Sequence, residues 1–474
     1  MRKLLYFFAG CFLALGFLSA CHDDDDDIPE AIIATNKWIQ EDMKEFYFWN
    51  KEIKNIDPNR EPDPEEYFYN LLRTGDTLSW ITDDYASLAA EYDGDPVTMG
   101  YDPAFFRFGN VADQVFIVVN YVYPGSPADE AGLKRGDIIL QIDKKNLTTT
   151  DYYDRFSGAA YSVQLADAVV TSGGVTITPN SVSLNLSART IDSNPAIHHE
   201  VLTVSGHKIG YLVYVGFTAG EGNKFLTTLD QIFTEFKAAG ISDLIVDLRY
   251  NPGGDLEAAG HLASEIAPAA VVNAGEIVVQ FKYNDDYQAF FESDPKYEDE
   301  LYYRFDKLTS NINLQKVYFL TTTGTASASE LVITGLAPHM DVVQVGEPTY
   351  GKYSGAWIIP DNDDEDKAKW AIVPIVMKYA NADGYTDFEG GLTPDHAMAD
   401  DILFAVPFGD TSDPMTAKAV ELITGQQVAA ALATRSRSAL IREFKRIVPE
   451  NKVMDLKRNL YVPPLKKEDR MNIR

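Results

Sequence analysis

The chain has 474 residues, 45% apolar and 12% aromatic, which is enough for two to four domains with sizeable cores. It holds 71 acidic residues against 41 lysines and arginines, a formal net charge of -30 at pH 7. Because nucleic-acid phosphates require a basic surface, this charge argues against nucleic acid as a partner.

The first 20 residues have the pattern of an export signal. Arg2 and Lys3 precede an apolar run, Leu4 to Leu18, that is shorter than the roughly 20 residues a membrane-spanning helix needs. Small residues before Cys21 resemble a bacterial lipobox and predict lipidation of Cys21; an ordinary signal peptide containing this cysteine is the alternative. The pattern predicts an outer-membrane lipoprotein of the cell envelope, on its periplasmic or outer face.

Residues 21–32 are predicted to be an acidic tether. Asp23 to Asp27 cannot pack together and should stay solvated; the run resembles a surface-export signal of Bacteroidetes lipoproteins, with a plain spacer as the alternative. Loss of Cys11 with the signal and lipidation of Cys21 leave no free thiol. This excludes cysteine nucleophiles and cysteine metal sites, and we predict neither a metal nor a cofactor.

Residues 33–92 are predicted to form a helical N-terminal domain. Apolar side chains recur at helical spacing from Trp38 to Trp49, and Pro64-Glu65-Glu66 opens a second apolar stretch as helix N-termini do. We expect these aromatic residues to form a small packed cap.

Residues 97–195 change to short strands and turns. After the β-rich run Val115–Val119, the pattern Ser-Pro-Ala-x-x-Ala-Gly-Leu-x-x-Gly-Asp from Ser126 to Asp137 predicts a turn, a short helix and a strand. This unit resembles a bacterial PDZ domain, which implies that a peptide C-terminus binds as an added strand at a sheet edge.

Two details of this PDZ-like region are open. Met99-Gly100-Tyr101 is the candidate loop for the peptide carboxylate, since glycine permits close backbone approach; a simple turn glycine is the alternative. Residues 151–190, rich in Ser and Thr, predict an insertion or a long hairpin.

Residues 199–425 alternate between strands and helices. Strands are predicted at Lys208–Phe217, Leu244–Leu248, Val317–Leu320 and Val342–Val345, with a helix at Leu226–Ala239. This βαβ pattern predicts an open α/β sheet. Residues 426–474 predict a basic helical tail without a specific role.

Ser327 is the candidate nucleophile. Small residues around it separate the strand Val317–Leu320 from an apolar helical run, so Ser327 lies at a predicted strand–turn–helix junction. Free N–H groups at a helix N-terminus can stabilise an oxyanion, although a serine there is usually only a cap.

Three motifs in order resemble the C-terminal processing (tail-specific) peptidases, family S41. Ala-Ser-Ala-Ser-Glu ends at Glu330, Gly-Glu-Pro-Thr-x-Gly-Lys ends at Lys352, and Asp-Leu-Arg-x-Asn-x-Gly-Gly ends at Gly254. The PDZ-like region lies upstream of them, as in that family. The resemblance spans roughly residues 97–425.

The resemblance implies a serine endopeptidase with a crotonase-like ββα core that cleaves unfolded or C-terminally recognised polypeptides. Ser327 would attack the peptide carbonyl, and Lys352 would accept its proton as general base. Lysine has a pKa of about 10.4 in water, so burial must lower it by roughly 3 units. The N–H groups of Ala328 and of Gly253 or Gly254 would form the oxyanion hole.

Two positions depart from the family pattern. The residue that usually orients the lysine is Ala356 here, and a position that is aspartate in some members is Pro338. A binding or chaperone-like lipoprotein that kept the fold without efficient catalysis is therefore the alternative function; a solvent-facing Lys352 would favour it.

Other chemistry is excluded by context. Gly346 to Lys352 fits a phosphate-binding pattern but precedes Tyr353 and strand-like residues, so no nucleotide is predicted. Asp361 to Asp366 lacks the central glycine and the final glutamate of a calcium loop, and neither His261 nor His396 has the context of a catalytic base.

Overall fold

The computed structural model describes residues 28–109, 113–171, 174–426, 444–447 and 460–461. The export signal, Cys21 and the acidic run Asp23–Asp27 lie outside the described residues, and what the sequence predicts for them stays a prediction.

The N-terminal region is mainly helical, as predicted. Asp63 caps the second helix by accepting the N–H of Glu65 at 2.9 Å, with Pro64 in its first turn. Buried apolar residues of the first helix, among them Ile39 and Met43, join the largest apolar core of the protein. The elements are α1 (Glu30–Phe46), α2 (Pro64–Leu71), β1 (Trp80–Thr82) and α3 (Tyr85–Tyr92).

The PDZ-like region consists of a large antiparallel sheet, a separate two-stranded sheet and two short helices. Ser126 caps the first of these two helices. Gly132, just after the end of that helix, has φ +88°, a conformation that favours glycine. The elements are β2 (Val97–Thr98), β3 (Tyr101–Phe108), β4 (Gln114–Val122), α4 (Pro127–Glu130), β5 (Ile138–Ile142), β6 (Lys145–Thr148), α5 (Tyr152–Phe156), β7 (Ala160–Thr171), β8 (Gly174–Ser187) and β9 (Arg189–Thr190). Strands β7 and β8 form one long hairpin. Of the two alternatives predicted for residues 151–190, an insertion or a long hairpin, the structure has the hairpin.

The third region alternates strands and helices. Its elements are β10 (Ala196–Val204), β11 (His207–Tyr214), α6 (Lys224–Ala239), β12 (Asp243–Asp247), α7 (Leu256–Ile266), α8 (Ala269–Ala274), β13 (Ile277–Tyr283), α9 (Asp285–Glu292), α10 (Glu298–Leu301), β14 (Tyr302–Arg304), β15 (Lys316–Thr321), α11 (Ala328–Leu336), β16 (Asp341–Gly346), β17 (Ser354–Ala356), β18 (Ile359–Pro360), β19 (Ala371–Val373), β20 (Ile375–Asn381), β21 (His396–Ala397) and α12 (Pro414–Thr424).

Two sheets of this core enclose the helix α11. The first has the order β10-β11-β12-β15-β16-β21, parallel from β11 onward, and the second includes β14-β13-β20-β17. Helix α11 contacts α7 as well as β13, β16 and β20. Strand β1 pairs with β19 and so ties the N-terminal region to this core. The predicted multidomain α/β and β fold is confirmed.

The C-terminal region differs from its prediction. Its described residues are two strands, β22 (Phe444–Ile447) and β23 (Leu460–Tyr461), so the predicted helical tail is wrong there. Phe444 and Leu460 are buried, and each strand completes its main-chain hydrogen bonds with a sheet of another region. Burial of these apolar side chains outweighs the local helical pattern.

A cluster of polar side chains, most of them buried, lies between α6 and α7. His261 Nε2 is 2.7 Å from Asp230 Oδ1, and the fully buried Glu265 accepts a 2.5 Å hydrogen bond from Ser310 Oγ. Burial raises the pKa of Glu265 to about 8; the hydrogen bond from Ser310 and the charge of Lys237 oppose this shift, and the nearby Asp230 carboxylate adds to it. Glu265 is therefore protonated in the folded protein at neutral pH.

This raised pKa predicts a pH-dependent stability. The unfolded chain ionises Glu265 near its ordinary 4.5, so its stabilising contribution is complete below that pH and lost as pH rises through about 8. Glu265→Gln should therefore lose less stability than the wild type between about pH 5 and pH 8.5, measured by urea unfolding. Glu276→Gln, an exposed glutamate just before β13, is the control. Equal losses in the wild type and Glu265→Gln would contradict the assignment.

Candidate active site

Ser327 is the residue that precedes helix α11, at the end of the turn that follows β15. It has φ +57°, which is uncommon for a residue other than glycine, and it is fully buried. The turn is fixed by its neighbours: Thr325 Oγ1 donates to the carbonyl of Leu248 at 2.7 Å, and Ala326 N–H donates to that of Asn251 at 3.1 Å. The loop after β12 thus sets the position of the predicted nucleophile.

Glu330, in the first turn of α11, joins the predicted nucleophile to the predicted base. Its Oε2 accepts the N–H groups of Ser327 at 2.7 Å and Lys352 at 2.8 Å. Its Oε1 accepts Gly351 N–H at 2.7 Å and the hydroxyl of Thr349 at 2.5 Å. The bonds from Ser327 and Lys352 end on the same oxygen, Oε2. The amide nitrogens of these two residues therefore lie at most about 5.5 Å apart, the sum of 2.7 and 2.8 Å.

Burial dominates the electrostatics of Glu330. The side chain is inaccessible to solvent, and burial raises its pKa above the ordinary value even though the four donors oppose the shift. A carboxylate in such a place persists because each of its oxygens is hydrogen-bonded.

Tyr379, on β20, makes a second bridge. Its hydroxyl lies 3.0 Å from the carbonyl oxygen of Ser327 and 2.9 Å from that of Lys352. Glu330 therefore fixes the amide groups of both residues, and Tyr379 faces both of their carbonyl groups. Contacts at the amide and the carbonyl group of each residue thus fix the two chain segments relative to each other.

Lys352 is buried, with 1% of its surface exposed. It follows Gly351, whose φ is +96° and where a Cβ atom would lie 2.5 Å from the carbonyl oxygen of Glu389, so only glycine fits. Strand β17 begins two residues later, as the strand-like residues after Lys352 predict. A solvent-facing Lys352, the arrangement that would favour the non-catalytic alternative, is absent.

The Ser327 hydroxyl oxygen is buried without a hydrogen-bond partner among the described residues. The hydrogen bond from Ser327 to Lys352 that the predicted proton transfer requires is therefore not formed in this conformation. Such bonds often tighten only when substrate is present.

The loop after β12 brings the predicted oxyanion donors beside Ser327. A Cβ atom on Gly253 would lie 2.7 Å from the Ser327 Cβ and 3.1 Å from the Ala328 nitrogen. The N–H of Gly253 already donates to Asn251 Oδ1 at 2.9 Å, whereas that of Ala328 is at the first turn of α11, where helices leave N–H groups unpaired. Of the two glycines, Gly254 is then the better candidate for the second donor.

Buried charges hold this loop and connect it to the PDZ-like region. Arg249 is 1% exposed and binds Asp247 at 2.7 Å and Asp413 at 2.9 Å. Arg135, from the PDZ-like region, donates to the hydroxyl of Tyr250 at 2.6 Å. Burial alone would raise the pKa of Asp413, but Arg249 and Arg135 hold it below its usual range.

The candidate carboxylate loop of the PDZ-like region is closely packed. Gly100 has φ +83°, and a Cβ atom there would lie 2.1 Å from the Cβ of Ser126. The carbonyl of Met99 accepts the N–H of Ala128 at 2.9 Å, and Tyr101 begins β3. These contacts explain the glycine as a turn residue, and the carboxylate role of Met99-Gly100-Tyr101 stays a prediction.

A cleft of about 280 Å³ lies between the PDZ-like region and the core. Gly253 and Gly254 line its core side, Tyr101 and Tyr121 the PDZ-like side, and Tyr461 of β23 also lines it. The predicted oxyanion loop therefore faces this cavity.

Three protein-family models match the chain in the predicted order. They are the Peptidase S41 N-terminal domain at residues 34–85, a PDZ domain at residues 118–159 and Peptidase family S41 at residues 208–398. The last range contains Ser327, Lys352 and the Gly253-Gly254 loop. The chain belongs to peptidase family S41.

Relatives support this assignment. A carboxyl-terminal-processing protease of Picosynechococcus is 26% identical over 318 residues, covering 66% of this chain and 68% of the relative. A carboxy-terminal-processing protease of Bartonella bacilliformis is 27% identical over 304 residues, covering 61% of each chain. A crystal structure described as an S41 protease of Bacteroides fragilis has a TM-score of 0.68 and 25% identity, covering 82% of this chain and 97% of that one. The predicted class of serine-type peptidase is confirmed at the level of the family.

Sequence reasoning missed Glu330 and Tyr379 as site residues. Glu330 was within reach, since it ends the Ala-Ser-Ala-Ser-Glu motif at the third position of a helix, where a glutamate can bind back to the preceding N–H. Nothing local marked Tyr379, which reaches the site from a strand 52 residues beyond Ser327.

The Glu330 bridge predicts a strong effect of an isosteric change. Glu330→Gln replaces one acceptor oxygen by an NH₂ group and leaves buried donors unpaired, so we expect a stability loss of about 2 kcal/mol or more. We also expect at least about 100-fold lower peptide cleavage, because Ser327 and Lys352 lose their shared ligand. Urea unfolding and a cleavage assay measure the two effects. Glu257→Gln, an exposed glutamate in the first turn of α7, is the control, and a fully active Glu330→Gln would refute the bridge.

The Tyr379 bridge predicts a smaller effect. Tyr379→Phe removes one hydroxyl and keeps the ring, so we expect kcat to fall about 10-fold with little change in KM, because the loss concerns alignment and not substrate contact. Tyr385→Phe, at a half-exposed tyrosine just beyond β20, is the matched control. Unchanged kcat in Tyr379→Phe would show that the hydroxyl has no part in alignment.

Proposed function

We propose that the protein is an endopeptidase in which Ser327 is the nucleophile and Lys352 the general base, acting on unfolded or C-terminally recognised polypeptides. The observation that carries the proposal is the Glu330 bridge, which holds the main chains of these two residues through one carboxylate oxygen. A purely structural serine cap would need no buried partner from the segment around residue 352.

The reaction begins with proton transfer. Burial disfavours a charged amine, so the buried Lys352 is suited to accept the proton of the Ser327 hydroxyl. The Ser327 oxygen then attacks the peptide carbonyl, and the N–H groups of Ala328 and Gly254 stabilise the oxyanion. Lys352 returns the proton to the leaving amine, and a water molecule activated by the neutral lysine hydrolyses the acyl-enzyme.

The fold around the site fits polypeptide substrates. The cleft beside Gly253 and Gly254 opens between the core and the PDZ-like region, and PDZ domains bind extended peptide termini. We propose that the PDZ-like region delivers the polypeptide to this cleft.

A catalytically weak binding protein is the second candidate. It is favoured by two observations: Ala356 occupies the usual position of the lysine-orienting residue, and the hydroxyl oxygen of Ser327 has no hydrogen-bond partner among the described residues. The burial of Lys352 is the observation against it.

Two alanine variants separate the candidates. Ser327→Ala and Lys352→Ala should each lower the cleavage of an unfolded protein such as casein by at least about 1,000-fold while binding of a labelled polypeptide persists, because only the reacting groups are lost. Lys316→Ala, an exposed lysine at the start of β15, should cleave normally. Undiminished cleavage in both active-site variants would refute the endopeptidase mechanism, and binding without cleavage by the wild type would support the second candidate.

We further propose that Cys21 anchors the protein in the cell envelope. The support is the export pattern of residues 1–20 followed by Cys21 and the acidic run. Within the described ranges, no helix has the length and apolarity required to cross a bilayer. Metabolic labelling with a radioactive fatty acid should mark the wild type and leave Cys21→Ser unlabelled; equal labelling would refute the anchor.

A further inference from the structure

The first observation concerns the edge of the PDZ-like sheet. Strand β3 begins at the Met99–Tyr101 loop, and the C-terminal strand β22 pairs with it in antiparallel fashion, Phe444 opposite Phe108 and Ile447 opposite Phe105. The segment therefore runs toward the loop. An added antiparallel strand on such an edge is how PDZ domains take up peptides, so the chain occupies its own candidate peptide edge.

The side chains of β22 fit this edge. Phe444 is buried, and its ring packs edge-on against Phe116 with centroids 5.3 Å apart. Lys445 and Arg446 are exposed. The strand is thus anchored by an aromatic side chain and by main-chain bonds.

The second observation concerns the cleft beside Gly253 and Gly254. Strand β23 lies between β17, which follows Lys352, and the predicted oxyanion loop: Leu460 is opposite Gly355, and the N–H of Tyr461 donates to the carbonyl of Gly254 at 2.9 Å. Tyr461 lines the 280 Å³ cleft, and its ring packs edge-on against Tyr92 with centroids 4.7 Å apart. The same C-terminal region thus reaches both places that the proposed function gives to substrate.

The charge distribution favours this intramolecular binding. Residues 426–474 contain 12 lysines and arginines and 5 acidic residues, a net charge of +7. The other residues hold the remaining 29 basic and 66 acidic residues, a net charge of -37. Opposite net charges on the two parts of the chain favour their association, most strongly at low salt.

We propose that the C-terminal segment is an internal competitor of polypeptide substrate: Phe444–Ile447 covers the PDZ-like edge, and Leu460–Tyr461 pairs with β17 and with Gly254 at the wall of the cleft. The proposal rests on the proposed function, because the segment competes at the sites that function assigns to substrate. Two strands cannot pair with one edge, so a substrate must displace the segment before it binds there.

A reversible lock tests the proposal without destabilising the protein. Arg107 and Lys445 are directly opposite each other and both exposed, so Arg107→Cys combined with Lys445→Cys places two thiols at a distance suited to a disulfide. We expect the oxidised protein to bind a labelled unfolded polypeptide at least about 10-fold more weakly than its reduced form, and to cleave it correspondingly more slowly. The single-cysteine variants, treated identically, are the controls.

The opposite change should release the segment. Phe444→Ser combined with Tyr461→Ala removes its two aromatic anchors, so polypeptide binding and kcat/KM should each rise at least about 10-fold. A synthetic peptide of residues 441–464, added in trans, should reverse the gain. Val182→Ser, which changes an exposed apolar side chain of β8 at the opposite edge of the same sheet, should behave as the wild type.

Binding and cleavage together separate the two proposals. If the locked and reduced proteins bind polypeptide equally and cleave it equally, the internal competitor is refuted while the peptidase stands. If locking weakens binding but no variant cleaves, the competitor is supported and the endopeptidase mechanism fails.

Discussion

The buried carboxylate of Glu330 is the constraint on which the candidate site depends. It accepts four hydrogen bonds, from the amides of Ser327, Gly351 and Lys352 and from the hydroxyl of Thr349. One helix side chain therefore fixes the loop that carries the proposed base relative to the turn that carries the proposed nucleophile. A buried carboxylate without these hydrogen bonds would cost free energy. The charge of Glu330 is therefore satisfied only when both segments are correctly folded.

A second group of buried charges extends this order to the rest of the molecule. Arg249 anchors the loop that brings Gly253 and Gly254 to Ser327, and it shares Asp413 with helix α12, which that aspartate caps. Arg135 brings the PDZ-like region into the same network through Tyr250. The geometry of the proposed oxyanion loop is thus connected to the placement of the PDZ-like region. The C-terminal strands lie on the two surfaces that this arrangement creates, the edge of β3 and the cleft beside Gly254.

The sequence predicted what local patterns and motif spacing encode. Amphipathic periodicity identified α6, buried apolar runs identified β12, β15 and β16, and the glycine-punctuated unit after Ser126 identified the PDZ-like region. The motif resemblance made Ser327 the candidate nucleophile and Lys352 the candidate base. Features that depend on distant pairing were not predictable: Tyr379 reaches the site across a sheet, and Phe444 and Leu460 become strands only because existing sheets offer them main-chain partners and apolar surfaces. The helical pattern of residues 426–474 could not reveal that pairing with these sheets is more favourable than a helix at Phe444 and Leu460.

The central claim is that Ser327 forms a covalent bond with substrate and that Lys352 activates it. Rapid acid quenching of the wild-type protein with an activated peptide ester, followed by mass spectrometry of the digested protein, measures this directly. The account predicts an acyl group on the peptide that contains Ser327, formed more slowly as the pH is lowered and absent from Lys352→Ala. An acyl group on another residue, or turnover of the ester with no adduct in the wild type and equal turnover by Lys352→Ala, would contradict it.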